Sequence, residues 1–204
     1  MTGSFPLSNL AGLSRVSTQQ RLLNMMTGRG AYPDPLSFQV TTATRLLDKA
    51  LDAWDVARKN LADHISGGPP QPTPLQEGAA PADEGWTRRP SQELFRAIDR
   101  FEDVVDSLAR LLRLLEAIEA NRRVQQVPAP AFSVATRNSV RIFRNRIAHG
   151  DADLAEGKAG KGLATATLAV NLTGIEIQRV RLEYSELEVV LTEAHHYLQR
   201  VIAA

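Results

Sequence analysis

The 204-residue chain contains no cysteine, which excludes disulfides, thiolate-held zinc and a thiol nucleophile, and leaves the chain at ease in a reducing cytosol. An excess of either charge is also missing: 24 Lys and Arg stand against 23 Asp and Glu, for a net charge of +1. No global basic field advertises nucleic acid, so any RNA or DNA contact must come from local patches. Long apolar runs are absent too. No stretch approaches the ~18 residues that mark a membrane span, and the opening MTGSFPLSNLAGLSRV lacks a basic start leading into an apolar core. Neither a cleaved signal nor a span is expected, and the expected location is the cytoplasm. No internal repeat is visible. What the chain does have is a hydrophobic fraction of 43%, enough for a real core, in a length that favours one domain with appendages.

The patterning predicts a mainly α fold, an antiparallel helical bundle with a β-hairpin inserted before the last helix. Residues 1–35 are rich in Ser, Gly and Asn and close on YPDP, whose prolines bar a continuous helix. They read as an arm, poorly ordered or carrying a short helix near Val16–Met26. From Ser37, Ala43, Leu47, Ala50, Trp54, Ala57 and Leu61 recur at spacings of four and three, which lines one face of a long helix. Residues 66–90 hold six of the eleven prolines and almost nothing apolar to bury, which predicts a disordered loop inside one domain spanning 36–204. A second long helix follows, with Leu94, Ile98, Phe101, Val105, Leu108, Leu112 and Leu115 as its seam, widened by Val104, Leu111 and Ile118. Two wide seams imply an antiparallel pair.

VPAPAF, residues 127–132, breaks that helix, and a third is expected over about 132–148 with Phe132, Ala135, Phe143 and Ile147 facing inward. LATATLAVNL and IEIQRVRLEY around Thr173-Gly174 read as a β-hairpin, with a bulge where the inward parity shifts between Ile177 and Val180. Leu187, Val190, Leu191, Ala194, Leu198, Val201 and Ile202 then define a closing amphipathic helix.

Few features carry chemistry. AEGKAGKG, residues 155–162, superficially suggests a phosphate-binding loop, but Ala155 and Gly162 stand where that motif needs Gly and Ser or Thr, and the loop follows a helix. It reads as a flexible connector whose Lys158 and Lys161 can still touch a phosphate backbone. His195 and His196 are adjacent on a helix and so point to different sides, with only Glu193 nearby to complete a metal site. They are expected at a surface or interface, as is His64, and no metal or other cofactor is expected.

The remaining histidine closes RIFRNRIAHGD, residues 141–151. The plain reading is a helix end, with Gly150 in the left-handed position and a cationic His149 favoured by the dipole. That leaves the spacing of Arg144, Asn145 and His149 unexplained. On a regular helix Asn145 and His149 share a face, so the amide can orient the imidazole, and Arg137, Arg141 and Arg144 form a basic stripe beside them. Arg144 and His149, five residues apart, diverge by about 140°. Either a distortion at the helix end or a second copy of the motif would bring them onto one phosphate.

Arg144-Asn145-Arg146-Ile147-Ala148-His149 resembles the R-N/D/H-x-x-x-H signature of HEPN domains, and the following Gly150 is common there. HEPN domains are helical bundles in which two long antiparallel helices precede the motif helix, and the resemblance covers about residues 37–204. It implies a metal-independent endoribonuclease, of a toxin or antiviral class, whose two motifs meet across a homodimer. In that role His149 is the general acid or base, Arg144 the phosphate clamp and Asn145 the group orienting His149. Arg137, Arg141, Arg146, Lys158 and Lys161 are then the candidate RNA contacts. The implied partners are an RNA substrate, such as transfer RNA, a second copy of the chain, and an antitoxin or defence protein. Many relatives carry a modifiable tyrosine two residues past the histidine; here that position is Asp151, which departs from the pattern. The alternative is a non-catalytic module of similar fold that binds nucleic acid, a nucleotide or a partner protein.

Overall fold

A computed structural model describes residues 7–10, 12–13, 35–66, 92–155, 168–177 and 180–204, with 150–155 described by their backbone alone. The expected helix around Val16–Met26, the 66–90 loop beyond Ser66 and its Trp86 lie outside the described residues.

Helix α1, Leu36–Ser66, begins directly after Pro35, whose carbonyl accepts the first helical bond from Gln39 N at 3.0 Å. Pro35 precedes the first helical residue, and its ring leaves no N–H there to go unpaired. Helix α2 spans Gln92–Glu119. The contacts Lys49–Asp103 and Trp54–Phe101 run in opposite chain senses, which makes the pair antiparallel. Every seam residue expected on α1 is buried, and so is every one on α2 except Leu94 and Ile98, which are half-buried against the core near the start of the helix. Burial of each large aliphatic side chain contributes roughly 1.5–3 kcal/mol, so these two faces are a large part of the drive to fold.

Helix α2 ends at Glu119, before the prolines, and a short 3-10 turn over Arg122–Val124 follows, its first turn capped by the Asn121 side chain accepting from Arg123 N at 3.0 Å. Helix α3 covers Val134–Ala155 and packs on α2 through Val140 and Phe143. Ala135 is exposed, contrary to the expectation that it faces inward, and Val140 takes the place instead. Helix geometry explains the offset: Ala135, five residues before Val140, lies about 140° around the helix from it, and the buried face is that of Arg137, Val140 and Phe143, behind a first turn in which Ser133 Oγ caps Thr136 N at 3.1 Å.

The expected hairpin is a three-stranded antiparallel meander, β1 (Ala169–Val170), β2 (Gly174–Ile177) and β3 (Val180–Glu183), in that order. The β1–β2 turn is organised by Asn171, whose Oδ1 accepts from Thr173 N at 3.0 Å and from Gly174 N at 2.9 Å. Ile177 is the cross-strand partner of Val180, and the register runs without an extra residue to Gly174 opposite Glu183. The parity shift is therefore the chain reversal between β2 and β3, and no bulge is present in this pairing.

Helix α4, Tyr184–Ala203, closes the molecule with all seven expected seam residues buried. Tyr184 stacks on Phe101 at 5.3 Å and meets Trp54 edge-on at 6.1 Å, joining α1, α2 and α4 at one aromatic contact. Its hydroxyl donates to the Asn171 carbonyl at 3.0 Å, which satisfies the one polar atom that this burial would otherwise strand. Burial also pushes the phenol well above its ordinary range. The described start of the N-terminal arm is not free of the core: Leu7 is buried, Trp54 Nε1 donates to Ser8 O at 3.1 Å, and Ser8 N and Oγ donate to the Glu188 carboxylate at 2.7 and 2.9 Å. Among the described residues no helix is long and apolar enough to cross a membrane.

Candidate functional site

The motif lies within α3, and α3 does not stop where the sequence suggested. It runs through Gly150 to Ala155. A mid-helix glycine costs about 1 kcal/mol, and the alanines and leucine that follow are strong helix formers that offset it. The consequence for His149 is direct. It stands six residues from the helix end, beyond the last turn in which the dipole acts, so stabilisation of a terminal cation does not account for it.

The continuing helix also fixes the angles. Phe143 and Val140 point into the core and Ile147 is half-buried, while Asn138, Ile142, Asn145 and His149 are exposed. These four recur at spacings of four, three and four, so they form one solvent-facing stripe. Asn145 and His149 share that face and make no side-chain hydrogen bond among the described residues. Arg144 turns the other way, toward α2. With no distortion at His149, the divergence of about 140° between it and Arg144 stands within one chain.

Arg144 faces a small hollow of about 200 Å³ formed with Glu102, Asp106, Ile147 and Ala148. Its Nε donates to Asp106 Oδ1 at 3.3 Å. Both side chains are about two-fifths exposed, so the pair is worth no more than about 1 kcal/mol and can be exchanged for another anion.

The rest of the basic stripe is committed to the fold. Arg137, only 9% exposed, donates from Nη2 to both carboxylate oxygens of Glu119 at 2.7 and 3.0 Å, with its guanidinium 4.8 Å over the Phe132 ring. An arginine so enclosed has its charge answered by Glu119, whereas an RNA contact was expected of it. Arg141 Nη2 donates to Glu116 Oε2 at 2.6 Å and is one-third exposed. Arg146 is exposed. Lys158 and Lys161 lie outside the described residues. The partners Asp106, Glu116 and Glu119 all come from α2 and escaped the reading of the sequence. The signal available was their order, since they meet Arg144, Arg141 and Arg137 in reverse, as two antiparallel helices require.

The adjacent histidines of α4 separate as expected, but His195 is buried at 3% exposure and only His196 is at the surface. The two rings meet edge-on at 5.6 Å. His195, expected at a surface or interface, is enclosed within the fold, with the Leu13 backbone of the docked start of the chain facing the ring. Burial first, and His196 second, hold its imidazole below the ordinary histidine range. Glu193 accepts from Ala131 N at 3.1 Å and so anchors the loop before α3. No group of three or more potential metal ligands occurs among the described residues.

Comparison of the chain with family models, with curated proteins and with solved structures gives no match to any of them.

Proposed function

We propose that the protein is a metal-independent endoribonuclease with a HEPN-type bundle, acting in the cytoplasm as a toxin or antiviral effector and assembled as a homodimer. The observation that carries this reading is the division of the motif on one regular helix. Asn145 and His149 face solvent on a stripe with Ile142, and Arg144 faces an open hollow beside an exchangeable carboxylate. A second copy laid against that stripe would bring His149 of each chain toward the motif of the other, and supply two histidines for the two proton transfers.

In the reaction, one His149 removes the proton from an RNA 2′-hydroxyl. That oxygen attacks the adjacent phosphorus, the bond to the 5′-oxygen breaks, and the second histidine returns a proton to the leaving oxygen. Arg144 exchanges Asp106 for the phosphate and stabilises the added negative charge. Asn145, four residues before His149, orients the imidazole without transferring a proton. The products carry a 2′,3′-cyclic phosphate or its opened 3′-phosphate. Asp151 replaces the tyrosine that a modifying antitoxin would use, so any restraint by a partner protein takes another form.

The test is cleavage of bulk transfer RNA in the presence of a chelator, with His149→Ala as control. Wild-type nicking, loss of about 10²- to 10⁴-fold in the variant, and an intermediate rate for Asn145→Ala are expected. Cleavage abolished by the chelator, or cleavage of a substrate without 2′-hydroxyls, refutes the mechanism. One observation favours the second reading, a non-catalytic binding module: Arg137, Arg141 and Arg144 are each paired with an α2 carboxylate, so the site offers little net positive charge. Equal nicking by wild type and variant, or none by either, would select that reading.

A further inference from the structure

Asp106 holds two arginines, one on each oxygen. Arg144 Nε lies 3.3 Å from Oδ1, and Arg110 Nη1, one turn further along α2, lies 3.8 Å from Oδ2. Two guanidiniums from different helices are thereby kept about one anionic group apart. Arg110 is 60% exposed and its pairing is long, so a carboxylate of this kind is readily displaced. It also lines a second space. Between α1 and α2 lies an open groove of about 910 Å³ with Thr42, Arg45 and Arg110 among its walls. The antiparallel sense set by Lys49–Asp103 and Trp54–Phe101 places Thr42 and Arg45 toward Arg110. Among the described residues, Arg110 thus belongs both to the groove and to the carboxylate gripping Arg144.

We propose that Arg45 and Arg110 bind the phosphates of the RNA strand flanking the scissile bond, so that the substrate passes from Arg144 across Asp106 into the α1–α2 groove. This rests on the ribonuclease reading. The charges along the groove limit how far the track extends. Arg45 is exposed and makes no ion pair among the described residues. Further along, Lys49 and Arg100 share the single carboxylate of Asp103, at 3.6 and 2.9 Å, and Asp48 on the same wall offsets the positive charge left over. Asp52, on the wall of the same groove, repels a polyanion there. Two added phosphate contacts are therefore expected, rather than a long basic channel.

Counterion release supplies the test, because each phosphate contact on a single strand contributes about 0.7 to the slope of log affinity against log salt. The full chain is titrated with a fluorescent single-stranded oligoribonucleotide bearing 2′-O-methyl groups, which binds without being cut. Relative to wild type, the Arg45→Gln/Arg110→Gln protein should lose about 1.4 from the slope and bind more weakly, and restoring charge with Arg110→Lys in place of Arg110→Gln should return about half of the loss. Wild-type binding whose slope the double substitution leaves unchanged overturns the track alone. Failure of the wild type to bind the oligoribonucleotide overturns both the track and the ribonuclease reading.

Discussion

Among the described residues, Arg137 and Glu119 form the most enclosed ion pair between α2 and α3, with one guanidinium nitrogen 2.7 and 3.0 Å from the two carboxylate oxygens and the guanidinium over Phe132. Arg144, two turns further along the same helix, holds Asp106 by a single longer contact in the open. The two arginines should therefore fail differently. Arg137→Met leaves a partly buried carboxylate without its partner and should cost about 2 kcal/mol, a fall in Tm of roughly 4–8 °C for a chain of this length. Arg144→Ala should cost at most ~1 kcal/mol and remove RNA cleavage. Thermal melts of both variants check this, and equal destabilisation would mean that the two pairs do the same structural work.

Ile142 is 50% exposed between Asn138 and Asn145, with Val134 more exposed still at the start of the same helix. An apolar side chain in the middle of a motif-bearing stripe suits a twofold contact, in which one patch meets itself. Ile142→Glu should give a folded monomer with an unchanged far-ultraviolet spectrum and little cleavage. Sedimentation of the wild type as a monomer at high micromolar concentration would remove the basis for the dimer.

His195 should make stability depend on pH. Its ring is buried and neither nitrogen completes a hydrogen bond among the described residues, while burial, then His196, depress its proton affinity against the opposing pull of the Leu13 backbone. The unfolded chain takes up this proton near pH 6.5 and the folded chain only at lower pH. The contribution of neutral His195 is then fully present above about pH 6.5 and is lost as pH falls through the lowered folded value. Melting temperature followed from pH 7.5 to 5 should drop, and His195→Leu should flatten the drop. A slope untouched by that substitution would place the titrating group elsewhere.

Gly174 is fixed by close approach. A methyl group there would run into the carbonyl oxygen of Leu182 and lie 3.0 Å from Glu183 Cα, both backbone atoms that cannot swing aside. Gly174→Ala should cost about 1–3 kcal/mol as overpacking, whereas Tyr184→Phe, which removes one hydrogen bond to Asn171 O, should cost about 1 kcal/mol. Chemical denaturation of the two proteins ranks them, and the reverse order would contradict the close packing of β2 on β3.

The sequence by itself determined α1, α2 and α4 and their inner faces, because a sustained repeat of three and four apolar residues permits only one orientation toward a core. The seams of α1, α2 and α4 and the position of the motif on a helix follow from that periodicity. It also determined that Asn145 and His149 share a face, since that depends on their spacing alone. Tertiary structure decided everything that required a partner surface. Arg137, Arg141 and Arg144 are one stripe in the sequence, yet the rotation of α3 against α2 encloses the first beside Glu119 and leaves the last in the open beside Asp106. Adjacent helical residues point about 100° apart, so the sequence shows that His195 and His196 separate but not which one the start of the chain covers. Gly150 ends a helix only if nothing beyond it continues the backbone bonds, and α3 does continue them to Ala155. Arg110 was invisible as part of the site because its link to Arg144 is a carboxylate between two helices, a relationship that exists only once those helices are packed.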